Sequence, residues 1–198
     1  MDLSRVVLAS SNAHKAEELT ELLAPAGMNI VPASEKLEVV EDGQSFSENA
    51  LKKAEAYEKH QKVPVVSDDS GLVVEALPDE LGIHSARFGG EGLTDRDRAE
   101  LLLKKMEGVN NREAYFVCVL CFYLNSEEVF FFEGRVNGHI SNNYIGEHGF
   151  GYDPVFIPEG RGEEKTLAQI PDWKAKNSHR AQAAALAVKF FRSPETKV

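Results

Sequence analysis

The chain reads as an α/β fold with a mixed sheet, and three observations predict it. Apolar, β-branched runs adjoin helical patterns through very short polar links: Arg5–Ala9 hands over to a helix through Ser10-Ser11-Asn12 alone, and Val63–Ser67 follows a helix almost directly. Two capping signatures, Ser45-Phe46-Ser47-Glu48 and Thr94-Asp95-Arg96-Asp97, open further helices. Finally, Ala114–Leu124 and Val129–Val136 are long β-type runs separated by a short polar stretch, which makes a hairpin. Strand–helix–strand units require parallel pairing and a hairpin requires antiparallel pairing, so the sheet is mixed.

The elements follow in order. The opening strand is Arg5–Ala9. The first helix covers Ala13–Ala24, with Leu19, Leu22 and Leu23 on one face and Pro25 and Gly27 closing it. A short strand, Met28–Val31, precedes an acidic loop. The Ser45 signature starts a helix that runs to about Gln61. The strand Val63–Ser67 is expected to end on Ser67-Asp68-Asp69-Ser70-Gly71, and the Thr94 helix to end near Glu107. The hairpin is expected to turn at Asn125-Ser126. A last helix is expected from about Lys174 to Phe191, its stripe of Ala181, Ala184, Ala185, Val188 and Phe191 packing into the core. Repeats, linkers and low-complexity tracts are absent from the sequence.

Composition narrows the function classes. The 198 residues carry 22 Lys+Arg against 32 Asp+Glu, a formal charge of -10, and the pI is near 5.1. That balance opposes unassisted docking on nucleic acid, so a phosphate ligand needs a local basic pocket. Residues Met1–Arg5 lead into no apolar stretch of signal-peptide length, and the longest apolar run, Tyr115–Leu124, is too short to span a membrane. The expectation is a soluble cytoplasmic protein without a membrane or nucleic-acid partner. Cys118 and Cys121 have CxxC spacing, but on a strand residues three apart face opposite ways. They read as small buried hydrophobes.

Four polar clusters carry the chemistry. Ser10-Ser11-Asn12-Ala13-His14-Lys15 lies where a strand meets a helix N-terminus. Free N–H groups and the helix dipole there favour an anion, although simple N-capping accounts for the same residues. Glu38, Glu41 and Asp42, followed by Lys52 and Lys53, offer oxygen ligands of the kind Mg²⁺ takes alongside substrate phosphates; the same loop fits a solvated acidic surface. Asp68 and Asp69 are adjacent carboxylates after a strand, and on that segment alone an acidic turn fits as well as a site. The last cluster, Gly149–Pro154 with Lys174–Arg180, pairs glycines with aromatics as a flat slot for a planar base, with Asp153 and Arg180 as edge donors or acceptors. Core packing and an ordinary helix start are the plain alternatives there. A Ser/His/Asp triad lacks a G-x-S-x-G elbow.

Taken together, Ser10-x-Asn12-x-x-Lys15, Glu41-Asp42-Gly43 with Phe46 and Glu48-Asn49-Ala50, Ser67–Leu72, Ser85-Ala86-Arg87, Phe150–Pro154 and Ser178-His179-Arg180 resemble the inosine triphosphate pyrophosphatase family, in order along nearly the whole chain. The resemblance implies an elongated ITPase-like α/β fold over residues 1–198, one domain with a long mixed central sheet and helices forming two lobes around a substrate cleft. It implies a homodimer and Mg²⁺-dependent hydrolysis of purine nucleoside triphosphates (ITP, dITP, XTP) to the monophosphate and pyrophosphate. A non-catalytic nucleotide sensor and a phosphatase releasing orthophosphate are the rival functions.

Carried over position by position, Ser10, Ser11, Asn12, Ala13, His14 and Lys15 bind the triphosphate, with Lys53 also facing substrate. Asp69 is the catalytic base and, with Glu41, holds the metal. Ser70 touches substrate; Phe150, Gly151, Tyr152 and Asp153 frame the base; Lys174 contacts substrate; His179 and Arg180 read the purine edge. Three departures stand out. Ser10-Ser11 occupies a position where the family often has Thr-Gly. In some relatives the metal-site glutamate aligns with Val40, which leaves Glu41 as the candidate and Glu38 in reserve. Asn177 replaces a commonly apolar residue, and Lys176 competes with Lys174.

Overall fold

The computed structural model describes residues 3, 5–10 and 12–193. Six strands form one sheet in the order β2-β1-β3-β4-β5-β6. They are β1 (Val6–Ala9), β2 (Ile30–Pro32), β3 (Val65–Val74), β4 (Glu113–Asn125), β5 (Glu128–Ile140) and β6 (Phe156–Pro158). Strand β1 pairs in parallel with β2 and with β3, Val7 lying opposite Val31 and Val65. Strand β6 closes the other edge antiparallel to β5. The mixed α/β sheet is therefore as the sequence predicts.

Five α-helices accompany it among the described residues: α1 (Ala13–Leu23), α2 (Phe46–Gln61), α3 (Asp95–Lys105), α4 (Pro171–Asn177) and α5 (His179–Arg192). Their starts follow local chemistry. Asn12 caps α1 by accepting from the Lys15 N–H, and Ser45 caps α2 by accepting from the Glu48 N–H. Thr94 and Asp97 form the complete reciprocal box at α3. The Glu48 carboxylate reaches one residue further back than that box requires, to the Gln44 N–H at 2.7 Å.

Three expectations are corrected. Strand β3 does not stop at Ser67; it runs on through Asp68, Asp69, Ser70 and Gly71 to Val74. The carboxylates lie mid-strand, with flanking ladder bonds holding a sequence that reads locally as a turn. The predicted last helix is two helices. Ser178, extended at ψ 162, ends the first, and the second begins at His179. The hairpin turns at Ser126-Glu127, because both strands are longer than their apolar runs.

The chain divides into two units. The first comprises the residues up to Asp69, Cys118–Gly134 and those from His179 onward. Its core has two parts. Val6, Leu8, Leu19, Leu23, Cys118, Leu120, Phe122, Ala184 and Phe191 form one, and Val7, Ala9, Ala50, Ala54, Tyr57, Val119 and Cys121 the other. Alternate residues of β1 and β4 thus face alternate sides, and Cys118 and Cys121 part company as their spacing predicts. The second unit, Ser70–Val117 and Arg135–Ser178, is centred on Leu72, Leu102, Met106, Phe116, Val155 and Phe156. Among the described residues no helix is long and apolar enough to cross a membrane.

In the first unit Gly134 permits β5 to meet the start of α5. A Cβ there would lie 2.1 Å from the His179 carbonyl oxygen and 2.5 Å from the Ala183 nitrogen, both backbone atoms. Gly134→Ala is therefore expected to lower the thermal midpoint. Overpacking of this kind costs roughly 1–3 kcal/mol, and each kcal/mol is worth about 2–4 °C in a chain of this size. A calorimetric scan checks it, and an unchanged midpoint would show that α5 can retreat without cost.

Candidate active site

The first unit gathers most of the predicted phosphate and metal residues around mid-strand β3. Asp68 and Asp69 are consecutive, so their side chains leave the strand on opposite faces and meet different partners. Asp68, 2% exposed, is caged by donors. Its Oδ1 takes Lys15 Nζ at 2.5 Å; its Oδ2 takes Arg180 Nε at 3.0 Å and the Cys118 thiol at 3.0 Å. Arg180 also reaches Glu18 of α1 with Nη1 at 2.7 Å. Burial alone would raise the Asp68 carboxyl, but Arg180 and Lys15 outweigh it and hold the group well below the usual range.

Asp69 sits in the contrary environment. It is 7% exposed, and its Oδ2 is buried without a hydrogen-bond partner. Burial pushes its pKa up from 3.8 to about 6 against the pull of Lys53 and Lys15, with Glu41 and Asp68 adding negative potential. The adjacent carboxylates are thus driven apart: Asp68 is fixed as an anion, and Asp69 is poised to take up a proton near neutral pH.

Helix α2 holds the acidic loop beside Asp69. Lys53 Nζ binds Glu41 at 3.2 Å and donates to the Asp68 backbone carbonyl at 3.1 Å. Lys52 pairs with Asp42 at 2.5 Å. Buried Asn49 accepts the Gly43 N–H at 2.8 Å, so closely that a Cβ on Gly43 would lie 2.7 Å from that oxygen. This explains why Gly43 and Asn49 accompany Glu41. Glu38 and Val40 are exposed, and Glu41 is the carboxylate that acts on Asp69.

A buried acceptor lacking a donor, with a second carboxylate beside it, is a donor set that fits a hard divalent cation. Among the described residues no three His, Cys, Asp or Glu side chains gather as a metal centre. Mg²⁺ needs no such cluster, since it normally uses one or two carboxylates with water and substrate oxygens.

Ser10 stands at the end of β1, where its hydroxyl accepts the Asn12 N–H at 3.2 Å. Ser11 lies outside the described residues. Ala13 and His14 form the exposed first turn of α1. His179 and Arg180 open α5, both buried. The guanidinium of Arg180, 1% exposed, binds Asp68 and Glu18 and so belongs to the Asp68 cage.

The second unit builds the aromatic segment. Asp153 Oδ2 accepts the Phe150 N–H at 2.9 Å and Lys174 Nζ at 2.7 Å, and that ammonium lies 4.5 Å from the centre of the Phe150 ring. Gly149, at φ +81, leaves room for the same carboxylate, which a Cβ would approach to 2.1 Å. Asp95, at the start of α3, accepts the Gly151 N–H at 2.8 Å. Tyr152 is buried, its hydroxyl donating to the Ser85 carbonyl at 2.8 Å. Asp153 and Tyr152 hold the loop in shape, leaving the half-buried Phe150 ring as the flat surface. Lys174 is buried and Lys176 exposed, so Lys174 is the one built into the segment. Ser70, half-buried on β3, begins this unit.

Sequence reasoning missed Glu18, Asp95 and the thiol of Cys118. Each lies on a regular helix or strand, far in sequence from its partner, and only Asp95, directly after the Thr94 cap, carried a local signal.

A mixed α/β sheet whose adjacent carboxylates are shifted in opposite directions beside lysines has the marks of an α/β enzyme with an acid–base site. The chain belongs to the Ham1 family, whose model matches residues 6–190. It is 41% identical to the dITP/XTP pyrophosphatase of Aquifex aeolicus, across 96% of this chain and 98% of that one. It is 42% identical to the Methylococcus capsulatus dITP/XTP pyrophosphatase, across 96% of each. The Ham1 protein of Staphylococcus aureus superposes with a TM-score of 0.83 at 38% identity, covering 94% of this chain and 97% of the other. A nucleoside-triphosphatase, also described as a dITP/XTP pyrophosphatase, from Mycobacterium abscessus superposes at 0.73 with 36% identity, covering 92% and 98%.

Proposed function

We propose that this protein is a hydrolase of acid anhydrides that converts the non-standard purine nucleoside triphosphates ITP, dITP and XTP to monophosphate and pyrophosphate, removing them from the nucleotide pool. The observation that carries the reading is Asp69, a buried carboxylate raised to about 6 beside Lys15 and Lys53. The shared name of relatives about 40% identical over almost the whole chain supports it. Asp69 orients a water and accepts its proton as it attacks phosphorus. Lys15 and the α1 N-terminus, Ser10 to His14, receive the phosphate charge, and Lys53 holds Glu41 toward Asp69. Glu41 and Asp69 would hold Mg²⁺, which when bound supplies neutralisation of the phosphate oxygens. Phe150 and Gly151 offer the base a flat surface, with Lys174 as a polar contact. A homodimer acting in the cytoplasm completes the reading.

Incubation with ITP and Mg²⁺ is expected to release one pyrophosphate per monophosphate. Stepwise orthophosphate would make the protein a phosphatase, and binding without turnover a sensor. Activity is expected to vanish with EDTA and return with Mg²⁺. Because Asp69 must be ionised both to hold Mg²⁺ and to accept a proton, kcat/KM is expected to rise from acid toward neutral pH, with the rise moving to lower pH as Mg²⁺ is raised. A profile whose acid limb did not move with Mg²⁺ would separate Asp69 from the metal.

A further inference from the structure

We propose that Cys118 is a positioning residue for Lys15, acting through Asp68. The inference rests on the reading that Lys15 binds the triphosphate. A carboxylate held by a cation on one oxygen alone can swing about its Cβ–Cγ bond, carrying that cation with it. Asp68 is held on both. Lys15 Nζ occupies Oδ1, while Oδ2 takes Arg180 Nε from α5 and the Cys118 thiol from β4, each at 3.0 Å. Two donors arriving from different elements fix the plane of the carboxylate, and with it the direction from which Lys15 is drawn.

The thiol is suited to this task and to little else. It is completely buried, and burial with the negative charge of Asp68 pushes it well above the usual range, so it remains an S–H donor and is no nucleophile. The apolar core face around it offers no other use for its hydrogen. Cys121, on the opposite face of the same strand, packs among Val7, Ala50, Ala54 and Tyr57 and serves as an internal control.

The test compares Cys118→Ala, which deletes the donor, with Cys118→Ser, which keeps one. Two readouts are used: calorimetric Kd for inorganic tripolyphosphate, and KM and kcat for ITP. Hydrogen bonds to a charged acceptor are the stronger kind, and a thiol is a weak donor, so a loss of roughly fivefold to tenfold in Kd and KM is expected for Cys118→Ala, with kcat within about twofold. Cys118→Ser is expected to restore both to near wild type. Its thermal midpoint is nonetheless expected to be no higher than that of Cys118→Ala, because a hydroxyl is poorly suited to an apolar face. A purely structural role would make the activity order follow the stability order.

Infrared spectroscopy supplies a check independent of turnover. Wild type is expected to show two S–H stretching bands, the lower-frequency one lost in Cys118→Ala and the other in Cys121→Ala. Equal tripolyphosphate affinity in wild type and Cys118→Ala, or an unshifted Cys118 band, would overturn the proposal. Failure of wild type to hydrolyse ITP would instead sink the proposed function, while the tripolyphosphate and infrared results would still decide the role of Cys118.

Discussion

Asp69→Asn is expected to be nearly inactive and more stable than wild type. The amide keeps the shape of the side chain but accepts no proton at neutral pH and carries no charge toward a cation. General-base catalysis contributes about 10²–10⁴-fold, so kcat for ITP should fall at least that far. The gain in stability comes from the same feature. Raising a carboxyl from 3.8 to about 6 corresponds to roughly 3 kcal/mol of destabilisation of the folded protein once the group is ionised. The amide is free of that penalty.

The sign fixes the pH dependence. Between about 4 and 6 the folded state binds the Asp69 proton and the unfolded chain does not, so stability conferred by this group falls as pH rises through that window. In EDTA, the stability advantage of Asp69→Asn should therefore be near zero at pH 4, grow to pH 6 and stay constant above about 7. Denaturant melts at these pH values measure it. Wild-type turnover in a folded variant would remove Asp69 from the chemistry, and an advantage that did not change with pH would show that its carboxyl is not perturbed. Asp68→Asn is the contrasting case, since there the folded state favours the anion.

Much of this was legible in the sequence because it is local. Caps at Asn12, Ser45 and Thr94, the strand-to-helix handover at Ser10, and the alternation that separates Cys118 from Cys121 all depend on neighbours a few residues away. What resisted reading was set at long range. Ser67-Asp68-Asp69-Ser70-Gly71 has turn composition, yet it is strand because β3 lies between β1, which pairs as far as Ser67, and the long β4, and because Gly71 lets the Gly82 carbonyl approach, to 2.2 Å from where a Cβ would stand. The helix break at Ser178 is invisible to a periodicity that continues on both sides. Motifs named residues but not which atoms their side chains would satisfy. Arg180 and Asp153, read as reaching for a base, are spent on Asp68 and Glu18 and on Lys174 and the Phe150 N–H.

Arg180→Ala tests that distinction. The guanidinium is buried and binds Asp68 at 3.0 Å and Glu18 at 2.7 Å, so its removal takes from a fully buried carboxylate the cation that acts on it most strongly. Deleting one partner of a buried ion pair costs about 3–5 kcal/mol, which in a chain of this size lowers the thermal midpoint by on the order of ten degrees. The cost comes from the stranded charge, so Asp68→Asn combined with Arg180→Leu, which removes both charges, should be more stable than Arg180→Ala alone. On substrates, a residue that orders Lys15 and α1 acts on phosphate binding, common to every nucleotide. The expected result is a similar fall in kcat/KM for ITP, XTP, GTP and ATP, with the order of preference kept. An edge-reading arginine would behave otherwise: inosine and xanthine present a carbonyl at position six where adenine presents an amino group, and loss of a matched donor there can change discrimination by a factor on the order of 10⁴. Collapse of the ITP-over-ATP preference in Arg180→Ala, with the midpoint unchanged, would return Arg180 to the base and overturn its place in the Asp68 cage.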